Sequence, residues 1–328
     1  MKRTFQTLVI GASMAIGVSA IASAPVQAGT MTNVTITGND YTKYNANGTN
    51  TFVDAGADLS TILTGDSNSP TGNVELFASS EKSPLSPTSA ATTFTALKSF
   101  LDYSQVTTLS GELNGKQISL SSLTATDWFG GSASSISTSI SSALTIVNAN
   151  ARAFALNTAI GGLYNSSNLA TQWFSTTLST YGMTANQTLF NQFLLAGGFQ
   201  RFSDPNISYV NQNDTTGEIK IGLAGHYDAA ALLGLTPKPN NPLQVSELVK
   251  VSYNGGPDQI LYSYQATASG LVAADDGKSH NGNYELKIQG VPVEIKTSTS
   301  VPEPSVVLGM LGVAGIVATQ RKLKKVSG

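Results

Sequence analysis

Ile136-Ser137-Thr138-Ser139-Ile140-Ser141-Ser142-Ala143-Leu144-Thr145-Ile146-Val147-Asn148-Ala149-Asn150-Ala151-Arg152-Ala153-Phe154 runs through the middle of the chain. Ile136, Ile140, Leu144, Val147, Ala151 and Phe154 recur at three- and four-residue intervals, which places them on one face of a helix with Ser, Thr and Asn outward. The spacing predicts one helix ending before Gly161-Gly162. A second, Leu169 to Tyr181, stops at Gly182, and a third starts with Thr184 as N-cap and Gln187 as its capping-box partner, running to Gly197-Gly198. So short a turn between the last two makes them a helical hairpin. Trp128, Trp173, Phe174 and Phe193 are the large apolar side chains here and read as core.

Either side of this region the period drops toward two. Val34 to Thr37, Val74 to Ala78 and Gln117 to Leu120 are short apolar runs bounded by turn residues, the last preceded by the hairpin turn pair Asn114-Gly115. Thr93 to Tyr103 is open between helix and strand, and Ser79 to Ala91, with Pro84 and Pro87, reads as an exposed loop. Past Gly198 three strand pairs are expected. They are Asn206 to Val210 with Glu218 to Leu223, Val249 to Tyr253 with Gln259 to Gln265, and Tyr284 to Ile288 with Val291 to Ile295 around Gly290. The fold class is therefore α+β, with strand-rich N-terminal and C-terminal parts around a central helical region.

The two ends read as processing segments. Lys2 and Arg3, the apolar run Leu8 to Ile21 and the small residues of Val26-Gln27-Ala28 make a leader cut between Ala28 and Gly29 by signal peptidase. At the other end, Val301-Pro302-Glu303-Pro304 lacks two backbone N–H donors and stays extended. An uncharged run from Ser305 to Thr319 follows, and as a helix it spans about 22 Å, short of the roughly 30 Å hydrocarbon core. Gly309, Gly312 and Gly315 admit the close approach of another helix, and Arg321, Lys322, Lys324 and Lys325 form a basic stop held on the cytoplasmic side. A buried C-terminal core helix is the competing reading, against which stands the absence of a polar face. The organisation is a leader over 1–28, a body over 29–296 as one large domain or two, a linker over 297–300 and a tail over 301–328.

The Pro-Glu-Pro turn, apolar run and basic stop together resemble the PEP-CTERM sorting signal. That resemblance covers the final 28 residues and implies export and hand-over to an exosortase-type membrane protease. Arg201-Phe202-Ser203-Asp204-Pro205-Asn206-Ile207-Ser208 with the downstream Gly222-Leu223-Ala224-Gly225-His226 resembles a subset of these proteins with no assigned activity.

Composition bounds the body. Two of the 18 Lys and Arg lie in the leader, four lie in the tail, and one of the 20 Asp and Glu is Glu303. The body thus keeps 12 basic and 19 acidic groups, a net charge of −7. It has no basic stripe for nucleic acid. Charged residues make up 12% of the chain against about 25% in ordinary domains, and Ser, Thr, Asn and Gly take their place, a surface suited to extracellular polysaccharide and other matrix molecules. With no cysteine, thiol catalysis and cysteine metal sites are excluded.

Arg201, Asp204, His226 and Asp228 form the candidate ligand site, brought together if the intervening hairpin closes; the alternative is an Arg–Asp brace at a helix-to-strand junction. Gly65-Asp66-Ser67 resembles the nucleophile block of GDSL-type esterases, but Asp276 and His280 are one residue too far apart for the matching acid–base pair. Asp275-Asp276-Gly277 with Asn281, Asn283 and Glu285 offers oxygen ligands for calcium without EF-hand spacing, and no other cofactor is indicated. No catalytic residue is assigned. The expectation is a non-enzymatic surface or extracellular-matrix protein, with a secreted hydrolase or a carbohydrate-binding module, using Trp128 or Trp173 as a stacking ring, as the alternative.

Overall fold

The computed structural model describes residues 28–80, 90–238 and 240–293. The leader before Ala28, most of the Ser79 to Ala91 loop, the linker, and the tail with Val301 to Pro304 and its basic stop lie outside the described residues. Among those described, no helix is long and apolar enough to cross a membrane.

The chain is a mixed α+β fold with N-terminal strands, central helices and C-terminal strands; its helices include α1 (Leu59–Ile62), α3 (Ala125–Phe129) and α6 (Leu169–Thr180), and the strands form two sheets. The larger sheet runs in the order β12 (Ala266–Ala268), β14 (Gly282–Gln289), β9 (Glu218–Gly225), β8 (Asn206–Asn213), β5 (Gly72–Leu76), β3 (Tyr41–Ala46), β4 (Asn50–Val53), β13 (Val272–Ala273), with β1 (Ala28–Thr30) also paired to β8. The smaller has the order β11 (Gln259–Leu261), β10 (Val249–Tyr253), β7 (Lys116–Ser121), β6 (Thr108–Leu113), β2 (Thr32–Thr37). Its β6–β7 turn is Asn114-Gly115, both at positive φ (50° and 74°), the backbone that a two-residue hairpin needs.

The larger sheet must curl. Laid flat, its two edge strands β12 and β13 would stand about 34 Å apart at about 4.8 Å per strand spacing. Only Ser269–Leu271 separate them in the chain, and the step from Ala268 to Val272 reaches at most about 14 Å. The sheet is accordingly a half-barrel whose two rims are bridged by this segment. Strand alternation sends Val74, Leu76, Ile221, Leu223, Tyr284 and Leu286 to one face, where they join Leu109, Leu120, Val249 and Val251 of the smaller sheet in one buried core.

A second core lies among the helices and contains Trp128, Trp173, Phe174, Phe190, Phe193, Phe199 and Phe202. Trp128 and Trp173 are fully buried with their rings 5.4 Å apart, so neither is a stacking ring for a sugar. The open segment Thr93 to Tyr103 resolves as helix α2 (Ala90–Leu101), with Phe94, Leu97, Phe100 and Leu101 all in this core.

Three expectations are corrected. The long helix is two, α4 (Ser132–Leu144) and α5 (Ala149–Gly161), because the Asn148 side chain accepts from the Ala151 N–H and starts a new helix. The turn leaves Val147 and Phe154 on the surface, 94% and 75% exposed. The third helix is α7 (Gln187–Leu195), capped by Asn186 through the Leu189 N–H and not by Thr184. Val291–Val293 is not a strand. Pro292 has no N–H for a ladder, and β14 pairs instead with β9 along its whole length and with β12.

Candidate functional site

The β8–β9 hairpin does close, with Ile207 opposite Leu223, so the start of β8 lies beside the end of β9. The charges of Arg201 and Asp228 both act on His226, and each candidate residue also has its own setting. Asp204 is buried, and its carboxylate accepts from the Ser80 hydroxyl. Arg201 ends helix α8 (Gly198–Arg201) and is half-buried. Asp228 Oδ1 accepts from the backbone N–H groups of Ala230 (3.0 Å) and Leu243 (3.1 Å) and so ties two loops together. His226 is half-buried; burial lowers its pKa, Asp276 acts in the opposite direction, and Lys278, Arg201 and Asp228 contribute smaller effects. Its carbonyl accepts from the Tyr284 hydroxyl at 2.6 Å. The arrangement is a set of braces at the helix-to-strand and strand-to-loop junctions, with His226 and Asp228 at its accessible edge.

That edge opens into a groove of about 420 Å³ lined by Tyr227, Asp228, Pro237, Lys238, Asn240 and Pro242. Its walls are held in place. Tyr227 N–H donates to Asn281 Oδ1 at 2.7 Å, the Asp228 carboxylate is fixed as described, and Lys238 Nζ lies 3.8 Å over the Tyr181 ring while donating to the Tyr181 carbonyl. An exposed aromatic ring thus stands beside a carboxylate, an ammonium and an amide.

Of the esterase-like residues, Asp276 and His280 form no hydrogen bond with each other. Asp276 Oδ1 accepts from the N–H groups of Lys278 and Ser279, a turn of its own chain, and His280 faces elsewhere. His280 Nδ1 meets Thr51 Oγ1 at 2.6 Å and Asn73 Nδ2 at 3.3 Å, and its ring packs edge-on to Tyr44. Burial drives its pKa down to about 4, so it is neutral at pH 7. The calcium candidates are also dispersed: Asn281 holds Tyr227, and Glu285 accepts from Tyr209 and pairs with Lys220. Among the described residues no group of three His, Cys, Asp or Glu gathers to hold a metal ion.

Around His280 lies what the sequence concealed. Asn73 on β5, Ser208 on β8, Ala224 on β9 and Asn283 on β14 line one small cavity with Thr51, on the sheet face opposite the apolar core. Strands so far apart in the sheet order share a cavity because the sheet curls around it. Asn73 Oδ1, Ser208 Oγ and Asn283 Oδ1 are buried there without a hydrogen-bond partner. The space is about 10 Å³, close to the roughly 10–15 Å³ that one water needs. Thr51 and Asn73 are 229 and 207 positions from His280, a separation that leaves no local signal.

Comparison with known proteins finds no family model, no curated protein and no solved structure that matches this chain.

Proposed function

We propose that this chain is an exported surface or extracellular-matrix protein, cut by signal peptidase after Ala28 and by an exosortase-type membrane protease at Val301 to Pro304, whose body acts by binding and not by turnover. One observation carries the reading. The two ends of the described fold meet at one residue, the buried Gln212, which pairs with Gly29 across β1–β8 and donates from Nε2 to the Val291 carbonyl at 2.7 Å. The Tyr227–Asp228 groove follows the opposite end of β9, which at about 3.3 Å per residue is some 23 Å away. A body whose two processed ends lie together, with a groove at its far end, suits a protein displayed outside the cell.

The test is the intact mass of the protein recovered outside producing cells, beside a Glu303→Ala variant. Loss of the leader and of everything after the Pro-Glu-Pro turn in the native protein, with the tail retained in the variant, is expected. A native protein exported with Ser305 to Gly328 intact overturns the reading. A carbohydrate-binding body is the second reading, favoured by the chemistry of the groove: Tyr227→Ala should then abolish retention on an immobilised neutral polysaccharide while leaving the fold unchanged. A hydrolase would instead release soluble sugar or ester products and lose that turnover on substitution of His226.

A further inference from the structure

The β6–β7 turn and the β8–β9 turn converge on a single backbone position, Gly29. A Cβ placed there would sit 3.1 Å from Asp214 Oδ1 and 3.3 Å from Asn114 Oδ1 and Nδ2. Asn114 Nδ2 in turn donates to Asp214 Oδ1 at 2.8 Å, which fixes the carboxylate beside the strand. The α-nitrogen of a residue lies about 2.5 Å from its Cβ position, so Gly29 N is within about 5.6 Å of the Asp214 carboxylate. In the uncut chain this nitrogen is a neutral peptide N–H. Leader cleavage after Ala28 turns the same atom into an ammonium.

We infer that Asp214, held by Asn114, is the seat for the mature amino terminus: the α-ammonium of Gly29, created by leader removal, pairs with the Asp214 carboxylate and locks β1 onto β8. The inference rests on the cleavage position in the proposed function, and nothing else about that reading enters it. Chemistry and position agree. The seat takes a primary ammonium, it offers the Asn114 carbonyl oxygen as a further acceptor, and a side chain at residue 29 would crowd both groups, which a glycine avoids. Peptide hydrolysis consumes water and leaves a carboxylate on Ala28 and an amine on Gly29 that takes up a proton, so the pair forms only after the cut. The other charged side chains near in sequence to the two turns are Glu112 and Lys116 beside Asn114 and Glu218 beyond Asp214. Of these charged groups, Asp214 is the one whose carboxylate adjoins Gly29.

The experiment measures the pH dependence of acylation of the α-amine in the exported protein, read by mass on the tryptic peptide Gly29 to Lys43. A free chain end titrates at about 7.7–8.0. The seat predicts a value higher by about half a unit or more, appropriate to a half-exposed pair, returning to the ordinary value in Asp214→Asn. Far-ultraviolet circular dichroism and an unchanged urea midpoint serve as the folding control for Asp214→Asn, which keeps the size of the side chain. An amine of ordinary pKa in the Gly29 protein, or a raised one that survives Asp214→Asn, overturns the seat while leaving the cleavage position intact. A mature chain that begins elsewhere overturns it through the cleavage position, and the mass of the peptide tells the two failures apart.

Discussion

His280 combines a left-handed backbone, φ 63°, with almost complete burial and a ring nitrogen against Thr51. In the unfolded chain its imidazole titrates near 6.5, and in the fold burial holds it at about 4, so between those values the unfolded state binds more protons and stability falls as pH falls. The stabilisation is fully present above about pH 6.5 and lost below about pH 4, and between pH 7 and pH 4.5 the loss amounts to about 2 kcal/mol. Urea unfolding at those two pH values should show the native protein losing that much more than His280→Asn, a residue that also tolerates the backbone; equal losses would mean that other groups set the acid limit. Gly222 is a second residue whose role is steric. A Cβ there would lie 2.1 Å from the Tyr209 ring, and Tyr209 has no room to retreat because it is buried and bonded to Glu285. Gly222→Ala should therefore lower stability by about 1–3 kcal/mol, and an unchanged urea midpoint would refute that packing. None of this was legible beforehand: a glycine in a strand marks a close approach without saying what approaches, and the histidine's partners come from strands that only the sheet's curl brings near.

At the level of elements, local chemistry was readable wherever it acted within a few residues. Asn114-Gly115, the Gly182 stop and the β8–β9 hairpin all stand where turn residues placed them. The strand expected after Gly290 failed at Pro292, and the two helix failures share another cause, asparagine competing with apolar periodicity. Asn148, Asn168 and Asn186 each cap a helix by accepting from the N–H three residues on, and at Asn148 this ends a stripe that by spacing alone would have continued. The consequence is measurable. Val147→Ser and Phe154→Ser should each change stability by less than about 0.5 kcal/mol, whereas Leu156→Ala, buried on the inner face of the same helix, should cost about 2–5 kcal/mol. Asn148→Ala should cost about 1 kcal/mol. A large loss at Val147 or Phe154 would show instead that the stripe is buried as a single helix.

Across the whole molecule, the sequence left open whether the body is one domain or two, and the two hydrophobic cores restate the question in physical terms. They are not separable. Leu248 belongs to the helical core and its neighbour Val249 to the core between the sheets; Ile260 and Leu261 divide in the same way. Consecutive residues of one strand point to opposite faces, so β11 and the chain entering β10 are walls of both cores at once. Backbone bonds add to this, with Leu123 N–H donating to the Ser203 carbonyl and Leu248 N–H to that of Phe202. Unfolding the helices would strip one face of β11 and of the chain entering β10 of its apolar cover, and unfolding the sheets would expose the underside of the helical core. The body should accordingly unfold as one cooperative unit, and the natural probes are well placed to test it. Both tryptophans, Trp128 and Trp173, sit in the helical core, so their fluorescence reports that half alone, while far-ultraviolet circular dichroism follows helices and strands together. Coincident urea transitions by the two signals are expected. A fluorescence transition that precedes the dichroism change would separate the cores and make the strands, with Gln212 and both chain ends, a domain of their own.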